Sequence, residues 1–256
     1  MGAHRWLLSC CLVGCVSAVQ VEGGTAPGAQ PISENKTKLL TVVSDDWDAF
    51  RASLRRYERL PGGPWTEVGV PIDVVLGHAG YGWGRGLHGT DAPHGRSGPA
   101  KREGDGRSPA GVFELGPMYG YGPSPPPGTS LSYVEATSSL RCVDDPASLH
   151  YNRIVSASDE PKDWNSAEHM LRGDDLYETA IVVHHNTASP VPGAGSCIFL
   201  HVWDGPDVAV RGCTAMAKPA LRTLSNWLER NEAVLVALPR SEYETLAEAW
   251  DLPPRD

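Results

Sequence analysis

Between Gly77 and Gly111 glycine recurs so often that the chain there has to be loop or bulged strand, as in Gly80-Tyr81-Gly82-Trp83-Gly84-Arg85-Gly86. The same punctuation runs through the rest of the sequence, with 28 glycines and 22 prolines against 3 phenylalanines. So many turn-formers leave room for short segments only and favour a β-rich fold over a helical bundle. The apolar runs between them read as strands: Leu39–Val43, one or two strands within Val68–Leu76, Ile181–Asn186, Ser196–Trp203 and Ala233–Leu238. Phe50–Leu60 fits strand and helix templates alike. The segments Ile181–Asn186 and Ser196–Trp203 are expected to form a hairpin around the loop Pro190–Gly195. Residues 158–175 are polar and read as a connection with one short helix. Pro219 opens a helix with Leu221, Leu224 and Leu228 on one face. Ser241-Glu242-Tyr243-Glu244 is a capping box for a last helix reaching Trp250.

The chain's 256 residues suffice for a substantial core, and neither an internal repeat nor a second domain is evident. A net charge of −9 without a basic cluster argues against nucleic acid as a partner. Residues 1–18 read as an export signal, with Arg5 ahead of the short apolar run Trp6–Val13. Leu12-Val13-Gly14-Cys15 has the form of a lipobox, which would make Cys15 a lipidated first residue. Val16-Ser17-Ala18 has the form of an ordinary cleavage site. Residues 19–37 have the composition of a flexible tether, and 38–252 that of one folded domain. The expected location is therefore the periplasm or cell envelope, with or without a lipid anchor, and a monomer is expected.

Export changes the reading of the cysteines. Cys10, Cys11 and Cys15 lie in the leader, leaving Cys142, Cys197 and Cys213. Two outcomes are open: a Cys142–Cys197 disulfide with Cys213 free, or three separate thiols. Cys213 follows Gly212, and His201 ends an apolar strand twelve positions earlier. A thiolate is a good nucleophile toward carbonyl carbon, and an adjacent imidazole raises the thiolate fraction; a close pair should pull the thiol pKa below its free value of about 8.5. Glycine lets the backbone turn sharply, which would bring the N–H groups of Gly212 and Cys213 near the sulfur as oxyanion donors. His78, His88 and His94 lack metal-ligand spacing and read as solvated or structural. A zinc site built from His184 or His185, His201 and Cys213 is a further alternative, although the chain contains no H-x-x-x-H or C-x-x-C pair.

Gly195-Ser196-Cys197-Ile198-Phe199-Leu200-His201-Val202-Trp203, followed by Gly212-Cys213-Thr214-Ala215-Met216, resembles the YkuD-like L,D-transpeptidase catalytic domain, in particular its bacterial exported members. The likeness extends to Lys101–Phe113, Cys142–Val155 and Val234–Pro239. It implies a β-sandwich-like fold with a few peripheral helices and no cofactor or metal. It also implies action on peptidoglycan stem peptides: Cys213 as nucleophile, His201 as base, and a thioester that passes to an amine. Water as acceptor would instead make the protein an L,D-carboxypeptidase or cross-link hydrolase. A non-catalytic envelope lipoprotein is the remaining alternative. Candidate substrate-binding side chains are Arg211, Thr214, His185 and Lys101, with Lys101–Phe113 either rimming a groove or forming a solvated hairpin. His184 and His185 fall on opposite faces of their strand, so one of them could orient His201. Two positions depart from the family pattern: Val210 stands where Ser or Thr is usual, and Ala215 where Arg is usual.

Overall fold

The structure is a computed structural model that describes residues 1–2 and 30–255. The export signal, Cys10, Cys11, Cys15 and most of the expected tether lie outside the described residues. The described fold is mainly β with two helices. Its packed part begins before Lys38, because Ile32 is buried in the core and Lys36 Nζ donates to Asn231 O at 2.9 Å.

In chain order the elements are β1 Lys38–Ser44, β2 Arg51–Glu58, β3 Thr66–Val75, β4 Tyr81–Trp83, β5 Ser108–Gly120, β6 Tyr133–Glu135, β7 Leu140–Val143, β8 Ile154–Ser156, β9 Ala167–His169, β10 Thr179–Val183, β11 Phe199–Val202, β12 Thr214–Met216, α1 Lys218–Trp227, β13 Ala233–Pro239 and α2 Arg240–Leu246. The main sheet runs β10-β11-β12-β3-β2-β1-β13-β5-β4, with β6 also on β5. β5 closes it. Its first half pairs with β13, with Val236 opposite Val112, and its second half pairs with β10, with Ile181 opposite Met118. The expected mainly β fold is thus found, as one large sheet closed on itself.

All seven residues of β13 and six of seven in β1 are buried. These strands are covered on both faces, which is why they read as unbroken apolar runs and not as alternation. The ambiguous Phe50–Leu60 resolves to strand β2 because it pairs on both sides, with β1 and with β3. β3 is one strand, with a register shift opposite Leu54–Arg56.

α1 lies on the core through Leu221, Leu224 and Leu228, with proline in its first turn. The capping box does not form. α2 begins at Arg240, its N-cap is Pro239 with no side-chain cap bond, and Ser241 lies inside the helix, where its carbonyl accepts from Thr245 Oγ1. β10 and β11 are antiparallel as a hairpin requires, but residues 184–198 connect them, so His184 and His185 lie beyond the strand. The polar stretch 158–175 holds β9 where a short helix was expected. β9 pairs with β7, and β7 with β8, in a separate three-stranded sheet.

Candidate active site

β11 and β12 are parallel neighbours, with His201 opposite Ala215 and Leu200 opposite Thr214. Cys213, the residue before β12, therefore falls on the same sheet face as Phe199 and His201. Phe199 N–H donates to Cys213 Sγ at 3.3 Å, and the thiol donates to Cys197 O at 3.5 Å. Ser108 Oγ donates to Cys213 O at 2.7 Å and accepts from Gly77 N–H at 2.9 Å, so the start of β5 fixes the backbone at the sulfur. Gly212 does not adopt a left-handed turn. A Cβ there would sit 3.2 Å from Arg107 O, so glycine serves close backbone packing.

Cys142 and Cys197 form a disulfide, and Cys213 is the free cysteine among the described residues. Cys197 has φ 55°, a left-handed conformation that costs a non-glycine residue on the order of 1 kcal/mol. It is held there by the disulfide and by Asn152, whose Oδ1 accepts from Cys197 N–H at 2.9 Å. Asn152 Nδ2 reaches on to His185 O and Asn186 O.

A cleft of about 610 Å³ opens over the sulfur. His201, Cys213 and Gly212 line it together with Tyr177, Glu168, Arg172, Lys101 and Arg211. His201 is 4% exposed and Cys213 7%. His201 Nδ1 lies 2.7 Å from Val202 O, an acceptor only, so Nδ1 carries the proton and Nε2 keeps its lone pair. Burial lowers the His201 pKa to about 4, against the backbone carbonyls that favour the cation. Burial raises the Cys213 thiol to about 12, and nearby Glu168 pushes it the same way. At neutral pH both groups are uncharged. The expected ion pair with a lowered thiol pKa is thus not the resting state, because the site is too dry to hold it.

The other anticipated residues divide. Arg211 is exposed on the cleft rim. Lys101 lines the wall, but its ammonium is taken by Asp105 Oδ1 at 2.7 Å and by Arg102 O. The loop it belongs to enters β5 and rims the cleft through Lys101, Glu103 and Gly104. Thr214 is buried within β12 and does not line the cleft, because strand alternation turns it away from the face that carries Cys213. His185 does not line it either. Its Nδ1 accepts from Arg85 N–H at 3.1 Å and its Nε2 donates to Ala194 O at 2.9 Å, so both nitrogens brace backbone. Burial pushes its pKa down to about 3. Gly195 accepts that packing, since a Cβ would come within 2.9 Å of His185 Nε2. His184 lines a second cavity beside Glu114. Among the described residues no group of three His, Cys, Asp or Glu stands close enough to hold a metal ion.

Tyr177 and Glu168 were not anticipated. Tyr177 packs edge-on against His201 at 5.1 Å and Phe199 at 5.4 Å between ring centroids, and its hydroxyl donates to Glu168 Oε2. No sequence motif marks either residue.

No protein-family model matches the chain, and no curated protein does. Among solved structures, Bd1075 of Bdellovibrio bacteriovorus superposes with a TM-score of 0.40 at 12% identity, over 84% of this chain and 55% of that one. The chain thus spans about half the length of that protein.

Proposed function

We propose that the protein is a cysteine acyltransferase of the L,D-transpeptidase type, acting on peptidoglycan stem peptides outside the cytoplasm. The observation that supports this best is the pairing of a free thiol with an imidazole whose tautomer is set, in one cleft. Val202 O holds the Nδ1 proton of His201 and leaves Nε2 as the acceptor.

In this reading His201 acts as general base as the thiol attacks, since both groups rest uncharged. The Cys213 proton moves to Nε2 as sulfur adds to the scissile carbonyl. Gly212 and Cys213 N–H groups face the developing oxyanion. The imidazolium then gives the proton to the departing amine, leaving a thioester on Cys213. An acceptor amine attacks the thioester in turn, passes its proton through Nε2, and the thiol is restored. Arg211, on the rim where its charge is available, is suited to a substrate carboxylate. The Cys142–Cys197 disulfide fits an oxidising compartment. Among the described residues no helix is long and apolar enough to cross a membrane.

The test is incubation with tetrapeptide-bearing muropeptides, read by mass. Wild type is expected to give a cross-linked dimer and a thioester adduct at Cys213, with Cys213→Ala silent. Monomeric tripeptide as sole product would move the protein to the carboxypeptidase class. Absence of any product or adduct, with wild type and Cys213→Ala alike, would leave the non-catalytic envelope protein.

A further inference from the structure

The wall that the small sheet lends the cleft is acidic. Glu168 of β9 lies opposite Cys142 of β7, and Asp144 follows Cys142 by two residues. Strand alternation therefore puts both carboxylates on the face that Cys142 turns toward Cys197. Both line the cleft that holds Cys213, and Glu103 joins them from the loop before β5. The cations on that wall are spent elsewhere. Lys101 Nζ is held by Asp105 Oδ1, and Arg172 grips Asp174 twice, Nε to Oδ1 at 2.9 Å and Nη2 to Oδ2 at 2.8 Å. What Glu103 and Glu168 receive are neutral donors. Glu103 Oε2 accepts from Tyr151 Oη at 2.5 Å and Ser196 Oγ at 2.6 Å, and Glu168 Oε2 accepts from the Tyr177 hydroxyl. Asp144 Oδ1 lacks even that: it is buried with no hydrogen-bond partner among the described residues. A buried, unanswered carboxylate oxygen is costly and rare. The side chain itself is half-buried and lines the cleft, so the carboxylate meets the cleft through its other oxygen.

We infer that Asp144, Glu168 and Glu103 form a cation subsite, with Asp144 its specificity-determining residue, and that it takes an ammonium group of the peptide entering the cleft. The inference rests on the acyl-transfer reading of the same cleft and adds the charge its substrate must carry. Tyr177 stands between the subsite and the base. Its hydroxyl bonds Glu168, and its ring packs on His201 with centroids 5.1 Å apart. A cation held by the acidic wall is thus one side chain removed from the imidazole that serves the sulfur. An ammonium brings three N–H donors and a full charge, so one group can answer Asp144 and still bond a neighbouring carboxylate. Burial raises the Glu168 carboxyl pKa, and like charge from Asp144 and Glu103 adds to it against Tyr177 and Arg172. A bound cation relieves that repulsion. Asp204, exposed at the cleft edge, has the same sign, whereas Arg211 on the rim has the opposite one.

The first arm of the test needs no stem peptide. The full chain, with its disulfide intact, is treated at pH 7 with two methanethiosulfonates of similar size, the cationic 2-aminoethyl and the anionic 2-sulfonatoethyl reagents. The mixed disulfide at Cys213 is followed by mass, and each rate is divided by that of a free small thiol. The cationic reagent is expected to react about 30-fold faster. Asp144→Asn is expected to cut that preference about fivefold. It should keep or raise the melting temperature, since an unanswered buried charge is removed. Glu244→Gln, at an exposed carboxylate of α2 outside the cleft, should change neither. No preference for the cation, a preference that Asp144→Asn leaves as it was, an equal loss in Glu244→Gln, or a Cys213 inert to both reagents would each overturn the subsite. The second arm locates the ammonium on reacting stem peptides. Slower acylation in Asp144→Asn places it on the donor. Slower transfer to the amine, with acylation and hydrolysis unchanged, places it on the acceptor, and no change in any step overturns the subsite. Wild type that fails to acylate while the charge preference holds would strike the acyl-transfer reading and leave the subsite standing.

Discussion

The closed sheet and the three-stranded sheet hold together by different means. In the closed sheet, β1 and β13 are buried almost throughout, and Phe113 sits fully buried between the rings of His88 and His185. In the small sheet β8 has no fully buried residue, β9 ends exposed, and Leu149 in the loop between β7 and β8 stands 86% exposed. Its order comes instead from polar ties. Asp145 accepts from Ala147 and Asn165, Asp163 accepts from Ser148 and Leu149, and one disulfide joins β7 to Cys197. The cleft lies where the two meet: Cys213 and His201 come from the closed sheet and Glu168 from β9. Apolar burial places Cys213 and His201, and a covalently tethered polar flap supplies another part of the wall.

Acid should separate the two regions most strongly. Burial lowers the pKa of His88 to about 4, of His185 to about 3 and of His201 to about 4. The unfolded chain therefore binds more protons below about pH 6.5, and stability present above that value is lost as pH falls toward 4. Between pH 7 and 5 the three together should cost on the order of 5 kcal/mol, read as a melting temperature lower by about 10 °C or more. Asp145 and Asp163 behave oppositely in position. Their pKa values are lowered by hydrogen bonds, so their contribution is complete above the usual carboxylate range and is lost as pH falls through that range toward the lowered values. A flat melting temperature between pH 7 and 5 would remove the buried histidines from the account.

Next in size, Phe113→Ala should cost about 3–5 kcal/mol and lower protection everywhere, because its cavity lies in the shared core. Cys142→Ala should cost about 2–4 kcal/mol. Hydrogen exchange should quicken in β7–β9 while β1 and β13 stay protected, because Glu168 and Cys197 lose their anchor. Equal quickening in β13 would show that the two sheets open as one unit. The smallest effect is expected from Tyr151→Phe, about 1 kcal/mol, since it removes a hydroxyl that bonds Glu103 and receives Gly195 N–H. Its signature is local exchange at residues 193–197.

The same contrast explains what could be read from the sequence. β1, β10, β11, β13 and α1 are apolar runs or an apolar face, and hydrophobic pattern found each of them. The small sheet has strands of three and four residues with no such pattern, so β9 hid inside a polar stretch. Cys213, His201 and the cleft-lining Arg211 stood out because strand, glycine and cysteine lie close along the chain. Tyr177 and Glu168 come to the cleft only through tertiary pairing, Cys142 lying opposite Glu168 in register. His185 and Thr214 had suitable chemistry but not placement, because a backbone brace and strand alternation are settled by three-dimensional context. The capping box failed because strand β13 runs straight into α2, which leaves Ser241 inside the helix.

β5 has one further consequence. A ring fastened by a single continuous strand has no loose end from which to unzip, because β5 is paired with β13 and with β10 and a ladder inside the sheet must break before the circle parts. Escape from the native state then starts at interior hydrogen bonds and not at a frayed edge, which favours a slow unfolding rate and long survival among proteases.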